Sequence, residues 1–274
     1  MINLLKIEWL KIKNYTAFKV MGIFFVIGIF VANLLVYKVQ KGIVAGNEDN
    51  PLLSGFQPYG FENTWQTTSY VSGFLLLLPA MLLIMLVTNE YSFRTNRQNI
   101  IDGWSRHQFI ITKIMMALIM AIISTILVFI TAVIFGQITK TDFSITNIAP
   151  VGFLFLKALT YNLFAILISV LIKKSGFAMG IFFIYIAVEN LASELLDNFS
   201  DKIKDANSIN LGSMGNYLPM NAADGLIKFP KNPITAMINV GAPTDYIYVI
   251  LAFAIAYILL FAWWSRRKYM TADL

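Results

Sequence analysis

The chain contains no cysteine and a single histidine, His107. Without thiols it forms no disulfide and holds no metal through thiolates, and one imidazole with no His or Cys companion makes a poor metal site. No Gly-x-x-x-x-Gly-Lys-Ser/Thr run is present, so the chain carries no phosphate loop of its own for ATP. Charge is scarce as well. Charged residues are 13% and hydrophobic residues 58%, whereas soluble domains carry about 25% charge. That balance excludes an ordinary water-soluble globule. Ser72, Ser124 and Thr125 lie in apolar runs with no base to activate them, so they read as helix-packing residues rather than nucleophiles.

What is present is length in apolar stretches. Mean hydropathy is +0.68, and six runs are long enough to span a bilayer. They lie near 20–37, 71–88, 114–136, 151–172, 176–192 and 246–264; the fifth is the weakest because Glu189 and Asn190 interrupt it. The expected fold is therefore an all-α integral membrane protein, a single domain over 1–274. The first run begins only after Lys19 and lacks a small-residue cleavage site, so it reads as a retained span and not a signal peptide.

Basic residues set the orientation. With the N-terminus inside, the inner connections carry thirteen Lys or Arg against four acids, and the outer ones seven against ten. Both termini are expected in the cytoplasm. The positive charge then faces anionic lipid head groups, and no nucleic-acid recognition pattern accompanies it.

Local signals fill in the connections. Leu5, Trp9 and Ile12 form an i, i+4, i+7 stripe among lysines, the pattern of a helix lying on the inner surface. The first outer loop, 38–70, mixes glycines and prolines with Phe56, Tyr59, Phe61, Trp65 and Tyr70, as an interfacial aromatic belt or a lid would. Spans 4 and 5 are joined only by Lys173, Lys174 and Ser175, which demands a tight hairpin. Lys157 and Glu189 lie at similar distances from that turn, so they are expected at similar depth. They pair, or each snorkels to the outer head groups. Beyond span 5, Ala192, Leu195, Leu196, Phe199, Ile203 and Ala206 fall on one helical face. Asn232 and Pro233 then signal a second short helix, stopped by Gly241 and Pro243.

Residues 90–113 form a polar, basic island between spans 2 and 3. Thr95-Asn-Arg-Gln98 reads as a capping box, Ile100 and Ile101 follow, Asp102-Gly103 stops the run, and Ser105-Arg-His-Gln108 reads as a second box. One short rigid helix, a corner and a new helix are specified. Such a knob suits docking and force transmission; binding lipid head groups while fixing topology is the alternative.

This island resembles the coupling loop of ABC-2-type ABC transporter permeases, in which Glu, an aromatic, a basic or small residue, Thr and a polar residue precede a short helix, followed by Ser-Arg and a Lys entering span 3. The matching positions are Glu90, Arg94, Thr95, Arg97, Ser105, Arg106 and Lys113; Trp104 stands where the family often has proline. The opening Leu5–Lys11 segment, the six spans and the helical outer segment between spans 5 and 6 agree with the same family.

The resemblance implies a membrane subunit of an ATP-driven exporter of hydrophobic or amphipathic cargo. It would sit in a bacterial inner membrane and assemble with a second permease copy or homologue. Hydrolysis would occur on a separate ABC ATPase holding ATP and magnesium, docked on 90–113, and the chain itself would be no enzyme and carry no cofactor. Readings from other classes are an intramembrane enzyme and an ion-coupled carrier, each acting without an ATPase.

Overall fold

A computed structural model describes residues 2–46, 57–101, 103–207, 210–230 and 246–271. Among them the secondary structure is helical, with no strand. Helix α1 is Ile2–Lys13, α2 Thr16–Ala45, α3 Thr64–Gly73, α4 Leu77–Ser92, α5 Thr95–Ile101 and α6 Arg106–Ile138. There follow α7 Ala149–Ile172, α8 Ser175–Asn207, the one-turn α9 Asn221–Asp224 and α10 Ile247–Thr271. In hydrocarbon every backbone N–H and C=O must be satisfied within its own segment, so runs of Leu, Ile, Phe and Ala close into helices.

Six helices are long and apolar enough to cross a membrane: Thr16–Gly42, Thr64–Ser92, Arg106–Ile138, Ala149–Ile172, Ser175–Ile203 and Ile247–Thr271. Each coincides with an expected span and most run well past it, because hydropathy registers only the greasy middle of a helix. The chain is a multi-pass membrane protein.

The bundle is organised around α7, whose Thr160–Val170 stretch is buried without a break. It packs against α3, α4, α6, α8 and α10. The outer helices show lipid their Ile, Phe and Leu side chains, Phe24, Ile184 and Leu259 among them, as a helix apolar on all sides must in a membrane. Span 2 is broken by a 3₁₀ turn at Phe74–Leu76 between α3 and α4. Pro79 lies four residues after Leu75 and has no N–H for its carbonyl, which fixes the break there.

Hydroxyls in the spans mostly bond back to their own helix, as Thr88, Ser124, Thr160 and Ser169 do to the carbonyl four residues earlier, while two asparagines tie helices together. Asn33 of α2 donates to Ser72 Oγ of α3 at 3.1 Å, and Asn162 of α7 to the Ala117 carbonyl of α6 at 3.1 Å.

The loop between spans 1 and 2 departs from expectation. Helices α2 and α3 take up both its ends, and Tyr59, Phe61 and Trp65 are fully buried instead of facing an interface. Tyr59 donates to the Asn33 carbonyl at 3.0 Å, Trp65 Nε1 to the Ser144 carbonyl at 3.0 Å, and the Phe61 ring fills the space left by Gly136. A Cβ at Gly136 would lie 2.6 Å from that ring. These aromatics are inward anchors that seal the bundle end remote from the termini. Phe56 lies outside the described residues, as does the short helix expected from Asn232 to Pro243.

Candidate functional site: a basic elbow and two buried charge clusters

The island folds into an elbow at the bundle end that carries both termini. Helix α5 begins after Arg94, which takes a left-handed φ of 57° and whose carbonyl accepts the first helical bonds, from Arg97 N–H at 3.2 Å and Gln98 N–H at 3.4 Å. The Thr95–Gln98 capping box does not form. Thr95 is already helical, and its hydroxyl turns back to the Glu90 carbonyl at 3.4 Å. The far end closes as a Schellman motif: Trp104 N–H reaches the Asn99 carbonyl at 3.0 Å and Gly103 N–H the Ile100 carbonyl at 3.1 Å. Gly103 sits at φ 101°, a backbone region open to glycine. Asp102 lies outside the described residues. The second capping box is present, with Ser105 and Gln108 exchanging bonds at 2.9 and 3.1 Å.

Behind the elbow lies an ionic quartet, three of its members buried and the fourth, Lys11, exposed. Lys113 Nζ of α6 meets Glu8 Oε2 of α1 at 2.6 Å and Glu90 Oε1 of α4 at 2.7 Å. Lys11 Nζ closes the ring, 3.0 Å from Glu8 and 3.1 Å from Glu90. Two cations and two anions cancel, which is what allows Glu8, Glu90 and Lys113 to be buried at all. Burial pushes the Glu8 carboxyl up, but Lys113 and then Lys11 outweigh it and hold it below its ordinary 4.5.

The quartet corrects the sequence reading. Glu90 and Lys113 were expected to contact a partner; both are buried, and their charges are spent on α1. The α1 stripe shifts too: Glu8 and Ile12 turn inward, while Trp9 stays exposed and meets Phe18 edge-on at 6.0 Å. Arg106 lies against α10, donating to the Met270 carbonyl at 3.2 Å. Of the seven residues matched to the coupling pattern, Arg94 and Arg97 remain charged and exposed on the elbow. They are flanked by exposed Phe93 and Ile101. In the sequence Ile101 marked only the run that Asp102-Gly103 stops, and Phe93 went unnoticed because Phe is so common in this chain.

A second cluster lies toward the opposite end. The proposed Lys157–Glu189 contact is replaced. Lys157 Nζ sits 3.2 Å from Asp224 Oδ1, and Tyr161 donates to Asp224 Oδ2 at 2.9 Å. Glu189 Oε1 accepts the backbone N–H groups of Met220 and Asn221 at 2.6 and 2.8 Å, capping α9 with a side chain from α8. The reason is that residues 210–230 fold into the bundle instead of lying on it. Met220, Ala222 and Ala223 are buried, Gly215 N–H donates to Asp197 at 2.8 Å, and Tyr257 donates to the Tyr217 carbonyl at 2.9 Å. The folded segment supplies a nearer carboxylate to the lysine and backbone donors to the glutamate. Among the described residues, no three His, Asp or Glu side chains are grouped so as to hold a metal.

A family described as a protein of unknown function (DUF2705) matches residues 49–269. The chain belongs to the DUF2705 family. The DUF2705 match takes in α3 to α9 and nearly all of α10, and so includes the elbow, Glu90, Lys113 and the Lys157–Asp224–Glu189 cluster. Helices α1 and α2, with Glu8, Lys11 and Asn33, precede it. No curated protein matches this DUF2705 chain.

Proposed function

We propose that the chain is the membrane subunit of an ATP-driven ABC transporter of the ABC-2 type, exporting a hydrophobic or amphipathic substrate. A separate ATPase would dock on α5. One observation carries the reading: a seven-residue helix, pinned at both ends, projects Phe93 (76% exposed), Ile101 (83% exposed), Arg94 and Arg97 from the end bearing both termini. A mere connection between two spans needs no rigid apolar knob with a basic rim. A knob in a partner's socket does, since apolar anchors supply affinity and charges supply register.

In this reading the quartet has a mechanical role. It couples the base of the elbow at Glu90 to α6 and α1, so that displacement of α5 is delivered to two further helices rather than absorbed by a loose loop. ATP-driven closure of two ATPases would then bias a pair of such subunits between opposed openings.

The test is co-purification followed by turnover. The chain should carry an ATPase of comparable size through purification. Arg94→Glu with Arg97→Glu should leave membrane insertion intact while reducing ATPase retention by about tenfold or more, the effect of reversing charges at a docking rim. Retention and transport equal to wild type would remove the docking role.

One observation favours a second reading, an ion-coupled carrier: Lys157, Asp224 and Glu189 are ionisable groups within the bundle, where such groups often mark ion pathways. Transport driven by an ion gradient in vesicles holding this chain alone would favour that reading.

A further inference from the structure

Between α5 and the α7–α8 turn the terminus-bearing end holds a cleft of about 510 Å³. Arg94, Arg97, Lys173 and Lys174 converge on it, with Ser92 and Asn96 beside them. Among the described residues, four cations and no carboxylate line it, whereas the quartet behind it is neutral. Two of the lining residues, Arg94 at φ 57° and Lys173 at φ 59°, hold a left-handed backbone that non-glycine residues rarely adopt. Lys173 lies over the Tyr91 ring at 5.5 Å, which positions its ammonium on the cleft wall.

Depth narrows the ligand. Ser92 ends span 2, Ile172 ends span 4 and Ser175 opens span 5, so the cleft sits where hydrocarbon gives way to head groups. Exposed Leu171 and Phe177 flank the turn on the hydrocarbon side. A phosphate group held by the cations could keep its acyl chains on those two residues, an arrangement that an acidic protein side chain has no use for.

We infer that this cleft binds an anionic phosphate group, supplied by a membrane phospholipid. Arg94 and Arg97 also belong to the docking surface proposed above; Lys173 and Lys174 do not, so the test is placed on the lysines.

The full-length chain in detergent is delipidated and titrated with phosphatidylglycerol or phosphatidylcholine, and bound lipid is counted by native mass spectrometry. Wild type should retain phosphatidylglycerol preferentially. Lys173→Gln with Lys174→Gln should weaken that retention about 25-fold, roughly fivefold per lysine. Lys6→Gln with Lys13→Gln removes the same charge from α1 at the same end and should change little. Equal loss in both double variants would mean diffuse attraction and overturn the site.

Inorganic phosphate forms the second arm. If millimolar phosphate displaces the lipid from wild type but the lysine variant binds neither, a phosphate site stands, whichever source fills it. If phosphate binds there and phosphatidylglycerol does not, the lipid assignment is overturned. If the lysine variant keeps its lipid but loses a co-purifying ATPase, the cleft serves a protein partner and the inference fails, with the docking proposal left standing.

Discussion

Lys113 is the residue on which the terminus-bearing end depends. It is 2% exposed and answers two carboxylates on two different helices. Lys113→Met would leave Glu8 and Glu90 sharing the one partly exposed cation of Lys11, and losing one partner of a buried ionic cluster costs about 3–5 kcal/mol. Thermal unfolding of the detergent-solubilised protein, followed by tryptophan fluorescence, should show a clearly lowered midpoint; an unchanged one would mean the quartet is dispensable. The same cluster predicts a pH response. A carboxylate whose folded pKa is depressed stabilises the fold above its unfolded value and loses that contribution as pH falls through the folded one. Because Glu8 is held below 4.5, its share should be intact at neutral pH and vanish under acid conditions below that value. Glu8→Gln should flatten that acid limb, read from unfolding midpoints at a series of pH values.

Part of this was open to the sequence. Glu8 is the sole acid before Glu48, and an isolated acid inside a lysine-rich helix asks for a partner. Which lysine answers it was hidden, since the pairing joins residues 105 positions apart.

At the scale of elements, the segment 210–230 carries the most unexpected structure. The sequence marks an amphipathic helix after span 5, and α8 extends through it as one 33-residue helix. Nothing in the periodicity showed that the chain would then turn back into the bundle, because its signals are short: Gly215 packed against Ser193, Gly225 against Asn216, and a carboxylate on another helix receiving two N–H groups. Lys157 and Glu189 were recognisable as ionisable groups at related depth, and both lie near the same inserted turn. Only their partners needed the three-dimensional path. A double-mutant cycle checks this. Lys157→Met and Asp224→Asn should be non-additive, with a coupling on the order of 1 kcal/mol given that Asp224 is partly exposed. Lys157→Met with Glu189→Gln should be closer to additive. The reverse ranking in unfolding midpoints would restore the Lys157–Glu189 pair.

For the whole molecule, six spans follow from composition and length alone, because bilayer thickness leaves an apolar run of twenty residues few other fates. The capped corner at Ser105 was equally legible, being local. The burial of Tyr59, Phe61 and Trp65 was not, since aromatic residues near a span end serve a belt and a packed plug equally well. Arg106 packs against α10 and Phe109 stacks on Tyr269 at 4.8 Å, while Lys113 holds Glu8 of α1, so α1 and the end of α10 lie on one side of the bundle. Which side that is can be measured directly, because the chain has no cysteine to remove first. With positive charge facing inward, Gln98→Cys should resist a membrane-impermeant maleimide in intact cells and react after permeabilisation. Glu62→Cys should react in intact cells. The opposite pattern would invert the topology.

The inserted turn also imposes an order on biosynthesis. Lys157 leaves the ribosome in the fourth span, and its counter-ion Asp224 follows roughly 70 residues later, several seconds at ordinary elongation rates. During that interval the ammonium must borrow solvation from water or lipid phosphate at the bilayer surface, so this span settles to its final depth only when the segment bearing Asp224 has been drawn back in.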